Sequence, residues 1–179
     1  MLFRSAYDAF EVHDNSIFIL SENASVNNGY GIGKNGYAVS VKGENAAVYL
    51  NTSGHNFARN GFIMLSNSTS AVKISSGKYI SCSRKYTLSV NGNTNLSGGF
   101  VRSIEVGEDG KFSMTGGTVG DNQRKSFTYP IKLRGKAEIS SGTINAHGGT
   151  AVLLENGAEM NIDKNADNTV DIRGKVLYN

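Results

Sequence analysis

The stretch GIGKNG places Gly31, Gly33 and Gly36 at the G-x-G-x-x-G spacing that cradles a dinucleotide pyrophosphate. That chemistry needs a strand before the glycines and a helix after them, because the helix N-terminus holds the anion. Here YAVSVK (37–42) follows, an alternating strand pattern. The glycines therefore read as a bend between two early repeats, and no cofactor is assigned. Asp163, Asp167 and Asp171 recur every fourth residue and could offer oxygen ligands to calcium from one face of a helix. With Asn165 and Asn168 between them, in strand and turn surroundings, they read as solvated loop carboxylates. Cys82 is the one cysteine, which excludes an internal disulfide and a multi-cysteine zinc site. In ISCS (80–83) it reads as a buried, inert strand thiol. His13, His55 and His147 are far apart, and His147, in NAHGG, reads as a corner residue. The sequons at Asn23, Asn51, Asn67 and Asn95 are what an Asn- and Ser-rich chain produces by chance. No catalytic or metal-binding residue is assigned.

The elements that would position such residues follow from composition. The 179 residues include 22 Gly, one Pro and no Trp. Asn and Ser are frequent, while the strong helix formers are scarce. Apolar residues are nevertheless too numerous for disorder. Short strands joined by Gly and Asn turns are expected. The net charge is only +3, and basic pairs such as Arg84-Lys85 and Arg124-Lys125 stand alone. A nucleic-acid partner is not expected, since its footprint would need clustered basic residues. No apolar run is long enough to span a membrane as a helix.

A repeat underlies the loops. Two apolar residues flank one polar residue, a Gly-containing turn follows, and apolar alternation resumes. The clearest copies are LSV (88–90), IEV (104–106), IKL (131–133), VLL (152–154) and VDI (170–172). Weaker copies are FEV (10–12), VSV (39–41) and IML (63–65). The starts are spaced by 16 to 29 residues, about 23 on average. Constant strands with elastic loops fit a solenoid, in which each rung must stack but its corners can bulge. Alternation puts Ile104 and Val106 on one side of the strand and Glu105 on the other. A rung has no partner within itself, so its backbone must pair with the rungs above and below. The expected fold is all-β: a single-stranded parallel β-helix of about seven to eight irregular rungs, with residues 1–36 less regular than 37–179. Asn28-Gly29, Asn35-Gly36, Asn60-Gly61, Asn91-Gly92 and Asn156-Gly157 are expected to supply positive-φ corners.

The segment ISSGTINAHGGTAVLLENGAEMNI (139–162) and KFSMTGGTV (111–119) resemble the passenger repeats of pertactin-like autotransporters. Ser141-Gly142-Thr143-Ile144 stands where that family has its strand-turn-strand unit, and Ala151 to Ala158 where it has the following strand. The likeness covers residues 85–176 well and the first 80 loosely. Phe57-Ala58-Arg59-Asn60 also matches, once, the F-x-x-N tetrapeptide of chlamydial polymorphic membrane proteins. The resemblance implies a right-handed helix, displayed on the bacterial surface at the outer membrane or secreted, without enzymatic activity, and acting in adhesion or as a stalk. It implies as partner a surface protein or glycan of a host or of other bacteria, with self-association as a further option. The family's C-terminal translocator barrel, its membrane attachment, has no counterpart here, so residues 1–179 are expected to be one passenger segment of a longer protein. The G-D-S-G turn of protease-bearing members is not matched, since Asn122 follows Gly120-Asp121.

The best candidate for a contact surface is the insertion GDNQRKSFTYP (120–130), through Arg124, Lys125, Phe127 and Tyr129, residue types suited to glycan or protein contacts; the other reading is a loop whose aromatics pack back on the solenoid. The alternative is a carbohydrate-active β-helix, a polysaccharide lyase or hydrolase or a phage tailspike fragment. A groove in which two or more carboxylates converge on a basic residue would favour it.

Overall fold

The computed structural model describes residues 9–28, 36–81, 86–120, 129–163 and 169–179. Every strand pairing in them is parallel, and each partner comes from a neighbouring repeat. The chain is thus a parallel β-solenoid with three columns of strands and no helix among the described residues.

The first column holds Phe10–Val12, Val39–Val41, Ile63–Leu65, Leu88–Val90, Ile104–Val106, Ile131–Leu133, residues 152–154 and residues 176–178, all in register. The second holds Ile17–Glu22, Ala47–Thr52, Ala71–Ile74, Asn93–Leu96, residues 111–114, residues 136–139 and Glu159–Ile162. The third holds Asn27–Asn28, His55–Ala58, Lys78–Ser81, Phe100–Val101, residues 118–120, residues 142–145 and residues 170–173. Lys136–Leu154 is one continuous strand that contributes to all three.

Alternation decides what each column buries. Ile63 and Leu65, Leu88 and Val90, Ile104 and Val106, and Ile131 and Leu133 point inward, and none exposes more than 2% of its surface. The second column adds Val48, Leu50, Val72, Ile74, Leu96, Phe112, Met114 and Ile139. Each fully buried aliphatic or aromatic side chain contributes about 1.5–3 kcal/mol of transfer free energy. Buried polar groups hold the corners. The Val26 and Ala46 amides donate to Asn56 Oδ1 (2.8 Å) and Ser70 Oγ (3.0 Å), and Ser70 donates in turn to the Gly43 carbonyl (2.7 Å). Tyr79, packed on Phe62 at 5.1 Å between ring centroids, donates its hydroxyl to the Ser76 carbonyl at 3.0 Å. Burial raises its pKa above the ordinary tyrosine range.

Two expectations need correction. VDI (170–172) was expected to open a rung in the first column, yet it pairs with residues 142–144 in the third. Val176 takes the first-column place against Val152. The local apolar-x-apolar pattern is the same in both columns, and only pairing with the neighbouring rung distinguishes them. The corners also differ. Among the described Asn-Gly pairs Gly157 has positive φ (84°), whereas Gly61 and Gly92 do not. The positive-φ ladder lies instead after the second column, at Gly77 (96°), Gly99 (78°), Gly117 (80°) and Gly142 (118°). A Cβ on Gly99, Gly117 or Gly142 would stand 2.7–2.9 Å from the carbonyl oxygen of the glycine one rung before. Glycine is required there twice, for its φ and for the close approach of backbones.

Candidate functional site

Alternation that buries Val72, Leu96 and Phe112 turns the intervening side chains of the second column outward. They form two rows. Ala71, Asn93, Lys111, Lys136 and Glu159 align in one, and Lys73, Asn95, Ser113, Glu138 and Asn161 in the other. Short side chains at Ala71, Asn93, Asn95 and Ser113 make a floor, and the long stems of Lys73, Lys111, Lys136 and Glu138 stand around it. The result is an open cavity of about 340 Å³. A second, of about 360 Å³, shares Ser113 and Glu138 and runs past Ser140 and Asn161 to Asp163. Together they make one groove, basic at the Lys73 end and acidic at the Asp163 end.

The groove's donors and acceptors are diverse. Its lysines donate only, the asparagine amides both donate and accept, and Ser113 does either. Lys136 pairs with Glu159 at 2.9 Å, with both side chains mostly in solvent. Lys73 stands over the Tyr49 ring, 5.5 Å from its centroid. Neither Lys73 nor Lys111 has a carboxylate partner among the described residues, so their charge is open to a ligand.

The outer surface of the first column differs. Glu105 and Lys132 are register partners. Lys132 Nζ lies 3.5 Å from Glu105 Oε1 and 3.2 Å from Glu155 Oε1, and Arg134 reaches the same carboxylates at 3.2 and 3.8 Å. Their side chains are 21–39% exposed. Two carboxylates thus converge on two cations, which occupy them. Neither of the two cavities is lined by any of the four. Tyr86 lies against this cluster, its hydroxyl meeting the Tyr129 backbone, and its pKa is raised first by burial and then by the Glu105 charge.

Of the contact residues expected from sequence, Arg124, Lys125 and Phe127 lie outside the described residues. Tyr129 is 37% exposed and sits beside Tyr86, on the first face and not on the groove. Gly31, Gly33, Cys82 and Asp167 also lie outside the described residues. After Gly36 the chain enters the strand Val39–Val41, as the turn reading requires. Asp163 follows the last second-column strand, while Asp171 sits in the third and accepts from Arg173 at 2.7 Å. Among the described residues no three His, Cys, Asp or Glu side chains gather into a metal-binding group. His147 has a positive φ of 47° and donates its amide to Asn145 Oδ1 at 2.9 Å, the corner role expected of it.

The groove residues were not singled out from sequence, although the repeats carry them. Aligned, the second strands read AVKI, NTNL, KFSM, KAEI and EMNI, and their first and third letters are the two rows. No protein-family model, curated protein or solved structure matches the chain.

Proposed function

We propose that the chain is a non-enzymatic segment of a bacterial cell-surface or secreted passenger of the pertactin-like kind, which presents a binding surface on a rigid stalk. The observation that carries this reading is the three-column parallel solenoid, with a polar groove on one outer face. The resemblance of residues 85–176 to passenger repeats supports it. A solenoid contacts only its own neighbours, so it can hold a surface at a distance without a globular support. The test is expression of the intact gene in its own host, followed by labelling of unbroken cells with an antibody to residues 85–176. Labelling of intact cells, or recovery from the medium, is the expected outcome; protein confined to the cytosol overturns the reading.

A second reading rests on Glu105 and Glu155, whose convergence on Lys132 and Arg134 is the arrangement a carbohydrate-active β-helix would need. Release of new reducing or unsaturated ends from a panel of polysaccharides, abolished by Glu105→Gln, would establish it. Weighing against it, each carboxylate already has two cations within 4 Å, leaving it poorly placed to take or give a proton.

A further inference from the structure

We infer that the groove on the second face binds an acidic oligosaccharide laid along the solenoid axis, its carboxylates at the Lys73–Lys136 end. The inference rests on the surface-binding reading and names its ligand class. Charge complementarity is the first argument: Lys73, Lys111 and Lys136 rim one cavity with Glu138 as the single carboxylate among its lining residues, and two of the three amines carry no ion pair among the described residues. Arrangement is the second. The lysines do not converge on a point, as a site for one phosphate would require. They are distributed along the axis, with Lys111 and Lys136 on adjacent rungs of one row and Lys73 two rungs before Lys111 in the other.

Adjacent rungs are about 4.8 Å apart, close to the rise of one sugar in an extended β-1,4-linked pyranose chain. Successive sugars of such a chain turn over, so a uronate chain would present its carboxylates to alternate sides of the groove, within reach of amines in both rows. The floor between the amines supplies what a sugar needs besides charge. Asn93, Asn95 and Ser113 offer amide and hydroxyl partners for ring hydroxyls. Glu138 and, beyond it, Asp163 oppose a further negative charge, which limits the anionic part of the ligand to the basic end.

The experiment is calorimetric titration of the purified chain with a β-1,4-linked mannuronate oligomer, the neutral mannose oligomer of equal length, and a single-stranded oligonucleotide of equal charge. The mannuronate oligomer is expected to bind with an affinity that falls as salt rises, and the other two at least about tenfold more weakly. The double variant Lys73→Ala/Lys111→Ala should lose about tenfold, Glu138→Gln should gain about twofold, and Lys175→Ala, an exposed lysine away from the groove, should change nothing. Circular dichroism of each variant establishes that it is folded. No measurable binding of the mannuronate oligomer, equal binding of the oligonucleotide, or an affinity indifferent to Lys73 and Lys111 each overturns the inference. The display reading is separate, because labelling of intact cells can succeed while this titration fails.

Discussion

The outer surfaces of the first and second columns are built by the same rule and used differently. Both consist of every second residue of stacked parallel strands. On the first, Glu105, Lys132, Arg134 and Glu155 neutralise one another across three rungs. On the second, Lys73 and Lys111 stand over short polar residues without a carboxylate partner among the described residues, and Glu138 lies further along the row of Lys73. A solenoid separates the two tasks easily, because the inward residues alone make the core and the outward ones are free to brace or to bind. Charges that satisfy one another belong to the scaffold, and charges left open belong to its surroundings.

The largest test of that division acts on the corner that ends the second column. Gly117→Ala places a Cβ 2.9 Å from Gly98 C and Gly99 O at a φ of 80°. Backbone strain and overpacking together should cost about 3 kcal/mol, read as a fall in the urea midpoint. If Gly117→Ala leaves the midpoint unchanged, the glycine ladder does not set the corner.

Next in size is the bracing itself. Glu105→Ala leaves Lys132 and Arg134 sharing Glu155 in a partly buried setting. The expected loss is about 1–2 kcal/mol, below that of a fully buried pair because solvent still reaches these groups. Glu138→Ala on the second face, measured alongside, should stay within about 0.5 kcal/mol. Equal losses from the two carboxylates would erase the contrast between the faces.

The first face should also answer to alkali. Burial and the Glu105 charge raise the Tyr86 pKa, and burial does the same for Tyr79. Above about pH 10 the unfolded chain loses these protons while the folded chain keeps them. The unfolded state then binds fewer protons, so stability falls as pH rises, by up to about 1.4 kcal/mol per pH unit for each tyrosine. Below the ordinary tyrosine range the contribution is fully present. Unfolding free energies measured across that window should show a shallower slope in Tyr86→Phe, and a slope unchanged in both Tyr86→Phe and Tyr79→Phe would contradict the assignment.

The parallel solenoid was legible because it depends on period-2 alternation and repeat spacing, both local properties of the string. IEV, IKL and VLL needed no tertiary information to be read as equivalent. Column identity is not local: VDI (170–172) has the letters of a first-column strand, and only its pairing with residues 142–144 places it in the third. The groove lay between these cases. Its residues are polar letters in otherwise apolar words, and no motif marks them. Only alignment of five second strands shows that Lys73, Asn95, Ser113 and Glu138 form a row. Aromatic and basic residues in an insertion, Arg124 to Tyr129, drew attention by composition, yet Tyr129 belongs beside the first-face cluster.

The smallest effect discriminates most finely. Lys111 contributes no ion pair among the described residues, and its neighbours in the row, Asn93 and Lys136, offer no negative charge. Removing it should even relieve some repulsion from Lys136 one rung away. Lys111→Ala is therefore expected to leave stability within about 0.5 kcal/mol of the parent, on the favourable side if it departs at all. Lys132→Ala, the same change on the first face, should destabilise, because it withdraws a cation from Glu105 and Glu155 together. Urea unfolding of the two variants side by side, repeated at high salt, separates the cases. Salt should shrink the Lys111 difference toward zero and leave most of the Lys132 loss, since partly buried pairs are screened less than charges in solvent. If both lysines prove neutral, the first-face charges are no more structural than those of the groove, and the division between bracing and binding surfaces fails.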